Sequence, residues 1–509
     1  VIKMNTRHPF VAAVFLSTLI LDVVVEVSAS PLGEAGSYCC TQRNHDAWTE
    51  IATEVDVVVV GGGVAGLTAI NTLLNHNVTD VVLLEAQDRL GGRVRTYRQD
   101  GVVVEDGAEW IHGDERNALH RLASSLLELD ENPPADDDWD WHWVTEEGQP
   151  GRVLDYAKLM KLFEETEQPG LLEPYYDTGY GYYYLDRFPE VFPPSTPHQE
   201  GLLHYLHQIV NSDEGTGSWL DMSAEDADQY EHQGEDFQWK NGYDTLITYL
   251  KETIPETVVH LSTPVTQVVW DCPEFPSQAL VVTQNGKAFR ARHILVTVPS
   301  AYLQKNHLTM FQPRLPSDFL HNLEGVRLGV ANKIQVGWAE PWWGKGLYAL
   351  DILWSHFNLP PHMCWLYSVV SAFSVHQQKA VVELFVTGNS SLYMEELQED
   401  EVKDHVMHLI RKASGQAVPE PTFFRRTRWS RDPWTLGSYA TYITVEGHEA
   451  GLRNHSQLAQ PIKNSAGHTV LLWAGEHTHN TRYGTVDGAM DTGNAEALRI
   501  LGLLKPSSP

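Results

Sequence analysis

Four cysteines in 509 residues are too few to staple a fold. Cys39, Cys40, Cys272 and Cys364 leave room for one disulfide but not for a framework, and no Cys/His spacing typical of a metal site occurs. Positive charge is also scarce: 36 Lys and Arg stand against 67 Asp and Glu, for a net charge of −31. A field of that sign repels phosphate backbones, which argues against a nucleic-acid partner, and it attracts cations. Past the N-terminus no apolar run approaches the roughly 20 residues of a membrane span, so no stable membrane anchor is expected. Core-forming residues are plentiful. Hydrophobic residues make up 42% of the chain, which excludes a mainly disordered or collagen-like protein.

The N-terminus reads as a targeting segment. Residues before Met4 look like the end of an upstream translated fragment, and Arg7 is followed by an apolar run from Phe10 to Leu21 that continues through Val23–Val25. Val27-Ser28-Ala29 offers the small residues of a cleavage site, predicting a signal peptide over 1–29 and a secreted or secretory-lumen protein. Asp22 and Glu26 count against a membrane helix. In that compartment Asn77-Val78-Thr79, Asn389-Ser390-Ser391 and Asn454-His455-Ser456 become glycosylation acceptors, so a glycoprotein is expected.

Val55–Val60 has the β-branched run of a strand buried on both faces, and it leads directly into Gly61-Gly62-Gly63-Val64-Ala65-Gly66. An apolar-periodic helix follows, then a second buried strand, Val81–Leu84, ending at Glu85. Gly61 makes the tight turn, Gly63 lets backbone N–H groups approach a pyrophosphate, Ala65 lies in the same turn, and Gly66 lets helix and strand pack closely. Glu85 would accept hydrogen bonds from a ribose diol. Strand, helix, second strand and terminal acid together predict a dinucleotide site. Gly91-Gly92-Arg93 returns over the pyrophosphate, and Arg93 offers a planar donor fork for phosphate. Near the C-terminus, strand Thr469–Trp473 leads through Ala474-Gly475-Glu476 to a helix beginning at Thr485-Val486-Asp487-Gly488-Ala489. Thr485 would cap this helix, whose positive end would stabilise negative charge on a bound cofactor.

These segments, with Gly107-Ala108-Glu109-Trp110-Ile111-His112-Gly113, resemble the flavin amine oxidase family, and within it the polyamine and spermine oxidase branch. The likeness runs in order from about Val55 to Leu504. It implies an α/β fold: a doubly wound, Rossmann-like FAD-binding domain with an inserted α+β substrate domain, both discontinuous. Part boundaries would fall at 54–118, 246–312 and 431–505 for FAD binding and at 119–245 and 313–430 for substrate, after a tail over 30–53. Val258–Trp270 and His293–Pro299 would be middle strands, and Val265 would hold the adenine side through its backbone. Gly107, Ala108, Glu109 and Trp110 would line the flavin; Trp429 and, more weakly, Trp434 would pack against it.

The resemblance also implies the chemistry: removal of a hydride equivalent from the carbon beside a neutral amine, its delivery to flavin N5, and hydrolysis of the imine. Lys333 resembles the family lysine that reaches N5 through a water. In the strand-like stretch Val330–Trp338, an inward lysine would have its pKa lowered by desolvation. His112 would contact the substrate amine, and Tyr439 and Tyr483 would wall the substrate slot. Ser438 stands where monoamine oxidases carry a flavin-linked cysteine, so the FAD should be non-covalent. The Gly107–His112 stretch holds no arginine for a substrate carboxylate, which argues against an amino-acid substrate.

Two acidic stretches fall in the presumed substrate domain: Glu128, Asp130, Glu131, Asp136, Asp137, Asp138, Asp140, Glu146 and Glu147, then Asp221, Glu225, Asp226, Asp228, Glu231, Glu235 and Asp236. Charge runs usually solvate loops, yet a tunnel for a polycation needs carboxylates. The leading expectation is an FAD-dependent polyamine oxidase using dioxygen. A monoamine oxidase and a catalytically silent flavoprotein are the alternatives.

Overall fold

A computed structural model describes residues 52–129, 139–344, 346–375, 378 and 380–505. The expected signal peptide, the Cys39-Cys40 pair and the acids Asp130, Glu131, Asp136, Asp137 and Asp138 lie outside the described residues. Among those described, no helix is long and apolar enough to cross a membrane.

A nine-stranded sheet holds the nucleotide-binding start. Its centre is Thr53–Val60, parallel to Val81–Leu84 on one side and to Ala288–Val296 on the other. Val57 and Val59 face one hydrophobic core while Val58 and Val60 face another, so the segment Val57–Val60 is apolar at every position for a physical reason: both faces are covered. Thr469–Trp473 pairs in parallel with the end of Ala288–Val296. The helices Val64–Asn75 and Val486–Leu504 pack together; a Cβ on Gly493 would come within 2.2 Å of the Ala65 carbonyl oxygen.

The expected strand Val258–Trp270 is instead two, Val259–His260 and Val265–Val269. Ser262 takes a left-handed φ of 48° between them, and Pro264 has no N–H to give a ladder. Ala279–Thr283, not anticipated, continues the sheet as an antiparallel neighbour.

A six-stranded sheet runs Phe423–Arg426, Ala331–Gly337, Val381–Thr387, Ser371–Ser374, Leu347–Leu353, Trp139–Thr145. Gln335 lies opposite Glu383 and Lys333 opposite Phe385. Alternation therefore puts these four side chains on one face, with Lys333 and Glu383 on a diagonal. A short ribbon pairs Trp110–His112 with Asp236–Gln238 and sets His112 opposite Asp236.

Candidate active site

One cavity of about 1120 Å³ runs from the first strand–helix turn to the six-stranded sheet. That exceeds the roughly 300–1,000 Å³ of ordinary ligand pockets, leaving space for a dinucleotide and a substrate.

At the nucleotide end Gly61, Gly63 and Ala65 line the cavity. Gly61 has φ +112°, a conformation that favours glycine. Gly66 points away from the cavity and lets the helix approach: a Cβ there would lie 2.1 Å from the Gly61 carbonyl oxygen. Gly63 begins the Val64–Asn75 helix with no side-chain cap, and a Cβ on it would meet nothing within 4 Å. The first N–H groups thus open onto a cradle that a side chain would fill, which fits a pyrophosphate. Glu85 is buried and accepts from the Gly62 N–H at 2.6 Å and the Gln87 N–H at 2.7 Å. Burial raises its pKa despite those bonds. A carboxylate has about four acceptor positions, so capacity remains for a ribose diol.

Arg93 has an architectural tie as well. It lines the cavity, but its Nη1 lies 2.7 Å from Glu476 Oε1 and donates to the Ser438 carbonyl at 2.8 Å. Through that one nitrogen Arg93 ties two chain segments, because Glu476 is buried and needs a cation. Burial pushes the Glu476 carboxyl up, but Arg93, with help from His477 and the Ala440 N–H, more than reverses this and holds it below its usual value. Gly107 packs against the Arg93 carbonyl, where a Cβ would come to 1.8 Å. Gly107, Ala108, Glu109, Trp110, Val265, Trp429 and Trp434 all line the cavity, and Trp429 Nε1 donates to the Asp106 carbonyl at 3.0 Å. Thr485 caps the last helix by accepting from the Gly488 N–H at 3.0 Å, and Val486 borders the cavity beside it. These donors, glycines and the helix start fit FAD. Buried Ser438 lines the cavity in place of a thioether-forming cysteine.

At the other end stands Lys333, buried, its Nζ 2.5 Å from Glu109 Oε2 and 3.2 Å from Glu383 Oε1. The expected lowered pKa is wrong in sign. Burial does push the ammonium down, but the two carboxylates outweigh burial and raise it. Lys333 is a cation here, not a base. His112 Nδ1 lies 2.8 Å from Asp236 Oδ2. Burial lowers the imidazole pKa and Asp236 more than restores it, leaving it raised. Tyr439 and Tyr483 line the same cavity. Tyr483 stacks on His455 at 4.2 Å and meets Tyr230 edge-on at 5.3 Å.

Residues 64–501 match the flavin containing amine oxidoreductases. The chain belongs to that family. Human (Homo sapiens) peroxisomal N(1)-acetyl-spermine/spermidine oxidase is 30% identical over 497 residues, 88% of this chain and 95% of that protein. The cattle (Bos taurus) protein of the same name is 27% identical over 493 residues, 89% and 96% respectively. A solved double mutant of putrescine oxidase covers 89% of this chain and 100% of its own at TM-score 0.68 and 19% identity, a likeness of fold. The amine oxidoreductase uses FAD.

The acidic stretches of this oxidoreductase mostly serve its architecture. Asp221 pairs with Arg327, and Glu225 with His448. Asp226 accepts from the Ile443 N–H, Asp228 from Tyr176, and Glu146 from the Ser355 N–H. Of the described acids in those stretches, Glu235 and Asp236 line the cavity. Three carboxylates that sequence reading passed over join them: Glu167, Asp213 and Glu214. Asp213 ends the helix Gln199–Asp213, and it and Glu214 are isolated in a neutral stretch with no charge run to flag them. Asp213 is open to the cavity yet deep in the molecule, and desolvation raises both carboxyls, with Asp213 adding to the shift at Glu214. Arg482 was also missed. Its guanidinium holds Asp487 at 2.8 Å, the Glu231 carbonyl at 2.8 Å and the His112 carbonyl at 2.5 Å, joining the histidine strand to the helix start.

Proposed function

We propose that the protein is an FAD-dependent oxidase of polyamines, oxidising spermine, spermidine or their acetylated forms at a secondary amine. With dioxygen and water the products are an aldehyde, a shortened amine and hydrogen peroxide. One observation carries the reading: the cavity lined by the glycine turn and Lys333 is also lined by Glu167, Asp213, Glu214, Glu235 and Asp236. Several carboxylates suit a substrate with several ammonium groups, and the names of the human and cattle relatives point the same way.

Bound FAD supplies the hydride acceptor. The chain supplies position and charge. Tyr439 and Tyr483 flank the substrate slot, and such faces attract an ammonium by about 0.5–2 kcal/mol. Asp213 and Glu214 hold distal ammonium groups while the reacting nitrogen stays neutral near His112. Thr485 and the Val486–Leu504 helix start present N–H groups to developing negative charge. The strands of the nine-stranded sheet come from 53–84, 259–312 and 462–473, which supports FAD-binding parts at 54–118, 246–312 and 431–505.

The N-terminal apolar run supports secretion, with Asn77 as the best glycan acceptor: Asn77 and Thr79 are exposed, whereas Ser391 is buried and Ser456 Oγ donates to Asn454 at 2.6 Å. Anaerobic titration of the yellow protein with a panel of amines tests the catalytic reading. Bleaching by spermine or its acetylated form is expected; bleaching by aromatic monoamines alone, or by no amine, overturns it. Product analysis by mass spectrometry then assigns the bond attacked.

A further inference from the structure

Two carboxylates close on one ammonium at the inner wall of the cavity, and all three groups are shut away from water. Glu109 is 6% exposed, Lys333 7% and Glu383 0%. If all three were ionised the set would carry a net charge of minus one in a low-dielectric site, at a cost of several kcal/mol per uncompensated ion. We propose that Glu109, Lys333 and Glu383 form a proton-sharing triad in which Glu383, a positioning residue, keeps a proton. The lysine then stays a fixed cation and the wall behind the flavin stays neutral.

The geometry says which acid holds the proton. Glu109 sits 2.5 Å from Nζ and also accepts from Gln238 Nε2 at 2.9 Å, the surroundings of an ionised carboxylate. Glu383 accepts from Gln335 Nε2 at 2.7 Å through Oε2. Its Oε1 faces Nζ at 3.2 Å without hydrogen-bond geometry, and the carboxyl lies within hydrogen-bond reach of Glu109, whose carboxylate can accept its proton. The sheet register enforces the arrangement, since Glu383 opposes Gln335 and lies diagonal to Lys333. Burial first, and the charge of Glu109 next, push the Glu383 carboxyl up to about 8 against the opposing pull of Lys333.

Other groups face the triad. Glu105 on the neighbouring strand is pushed up to about 7, chiefly by burial, and accepts from the Tyr243 N–H. Asp106 is neutralised by Arg95 and Arg425. The Phe385 ring lies 5.3 Å from Nζ, and Tyr439 feels the lysine's charge from the cavity side. Glu105 is thus the one neighbour whose titration could be mistaken for that of Glu383.

The inference rests on the proposed function only in placing Lys333 beside the flavin; the triad itself titrates without any amine. The test is infrared difference spectroscopy of the FAD-loaded full chain carrying isotope-labelled glutamate, titrated from neutral to alkaline pH. Beside the band that Glu105 supplies, which fades near 7, a second protonated-carboxyl component is expected that fades near the pH of about 8 given above. It should vanish in Glu383→Gln and survive in Glu105→Gln. Absence of that component in the wild type, or its survival in Glu383→Gln, overturns the proposal. Should Glu383→Gln fail to fold, Glu109→Gln decides. Losing the nearer anion should let Glu383 ionise at a pH lower by about one unit or more, and an unmoved midpoint overturns the triad. A merely structural Glu383 would leave that midpoint where it is.

Discussion

His112 and Asp236 face each other across a three-residue antiparallel ribbon, Nδ1 to Oδ2 at 2.8 Å. The ion pair fixes both the tilt and the charge of the ring that borders the substrate chamber. Burial alone would lower the imidazole pKa, but Asp236 overrides it, so the protonated form persists to higher pH than in a free histidine. Asp236→Asn should lower the His112 titration midpoint by about one unit or more, followed by NMR. In stability the sign is the same. The stabilisation from this pair is present below the unfolded pKa and is lost as pH rises through the raised folded value. The variant's melting temperature should therefore trail the wild type most at acid pH and converge with it at alkaline pH.

Gly63 and Gly66, one helical turn apart, separate binding from packing. A methyl at Gly66 would lie 2.1 Å from the Gly61 carbonyl oxygen, whereas one at Gly63 meets no protein atom within 4 Å. Gly66→Ala should destabilise the FAD-free protein by about 1–3 kcal/mol, the range for overpacking. Gly63→Ala should leave the melting of that form unchanged while weakening FAD retention on dialysis. Equal destabilisation by both would mean that Gly63 does not open onto the cofactor.

Removing the cation from the buried pair of acids has a calculable consequence. In Lys333→Met, the Glu109 carboxylate is left uncompensated beside Glu383, which adds a second charge as pH rises, and breaking such an interaction costs about 3–5 kcal/mol. Buried carboxyls with raised pKa values take up protons as pH falls, which relieves the repulsion. The stability gap to wild type, read from thermal melts, should therefore widen with rising pH and shrink on acidification. A gap independent of pH would show that the carboxylates do not interact.

The parts of this molecule legible in its sequence are those built from backbone rules. Val55–Val60, the glycine turn, Val81–Leu84 and the Thr485-capped helix obey local patterns of burial, turn and cap, and they occur where those patterns put them. What the sequence hid is side-chain partnership. Glu383 lies 50 positions from Lys333 and meets it only through strand register, so desolvation was visible and compensation was not. Arg93 was likewise read for its donor fork, while Glu476, the acid that engages one of its nitrogens, lies at the far end of the chain. The acid runs misled for the complementary reason: their density attracted attention, yet most of those carboxylates bind backbone or Arg and His, while the isolated Asp213 and Glu214 reach the cavity.

Asp213 and Glu214 also give the net charge of −31 a local meaning. A uniformly acidic surface would concentrate every cationic amine alike, and salt would weaken that steering for all of them. Two carboxylates inside the cavity act differently, because they discriminate by the number and spacing of ammonium groups. Asp213→Asn combined with Glu214→Gln should raise the KM for spermine about tenfold or more, the loss of one charge-assisted contact. The KM for a monoamine should hardly move. In the wild type kcat/KM for spermine should fall with ionic strength more steeply than for a monoamine, and the double variant should lose part of that difference. Equal salt slopes for both amines in the wild type would return the acidity to solubility alone. An unchanged spermine KM in the variant would move the ammonium site to Glu167, Glu235 and Asp236, the remaining carboxylates of the same chamber.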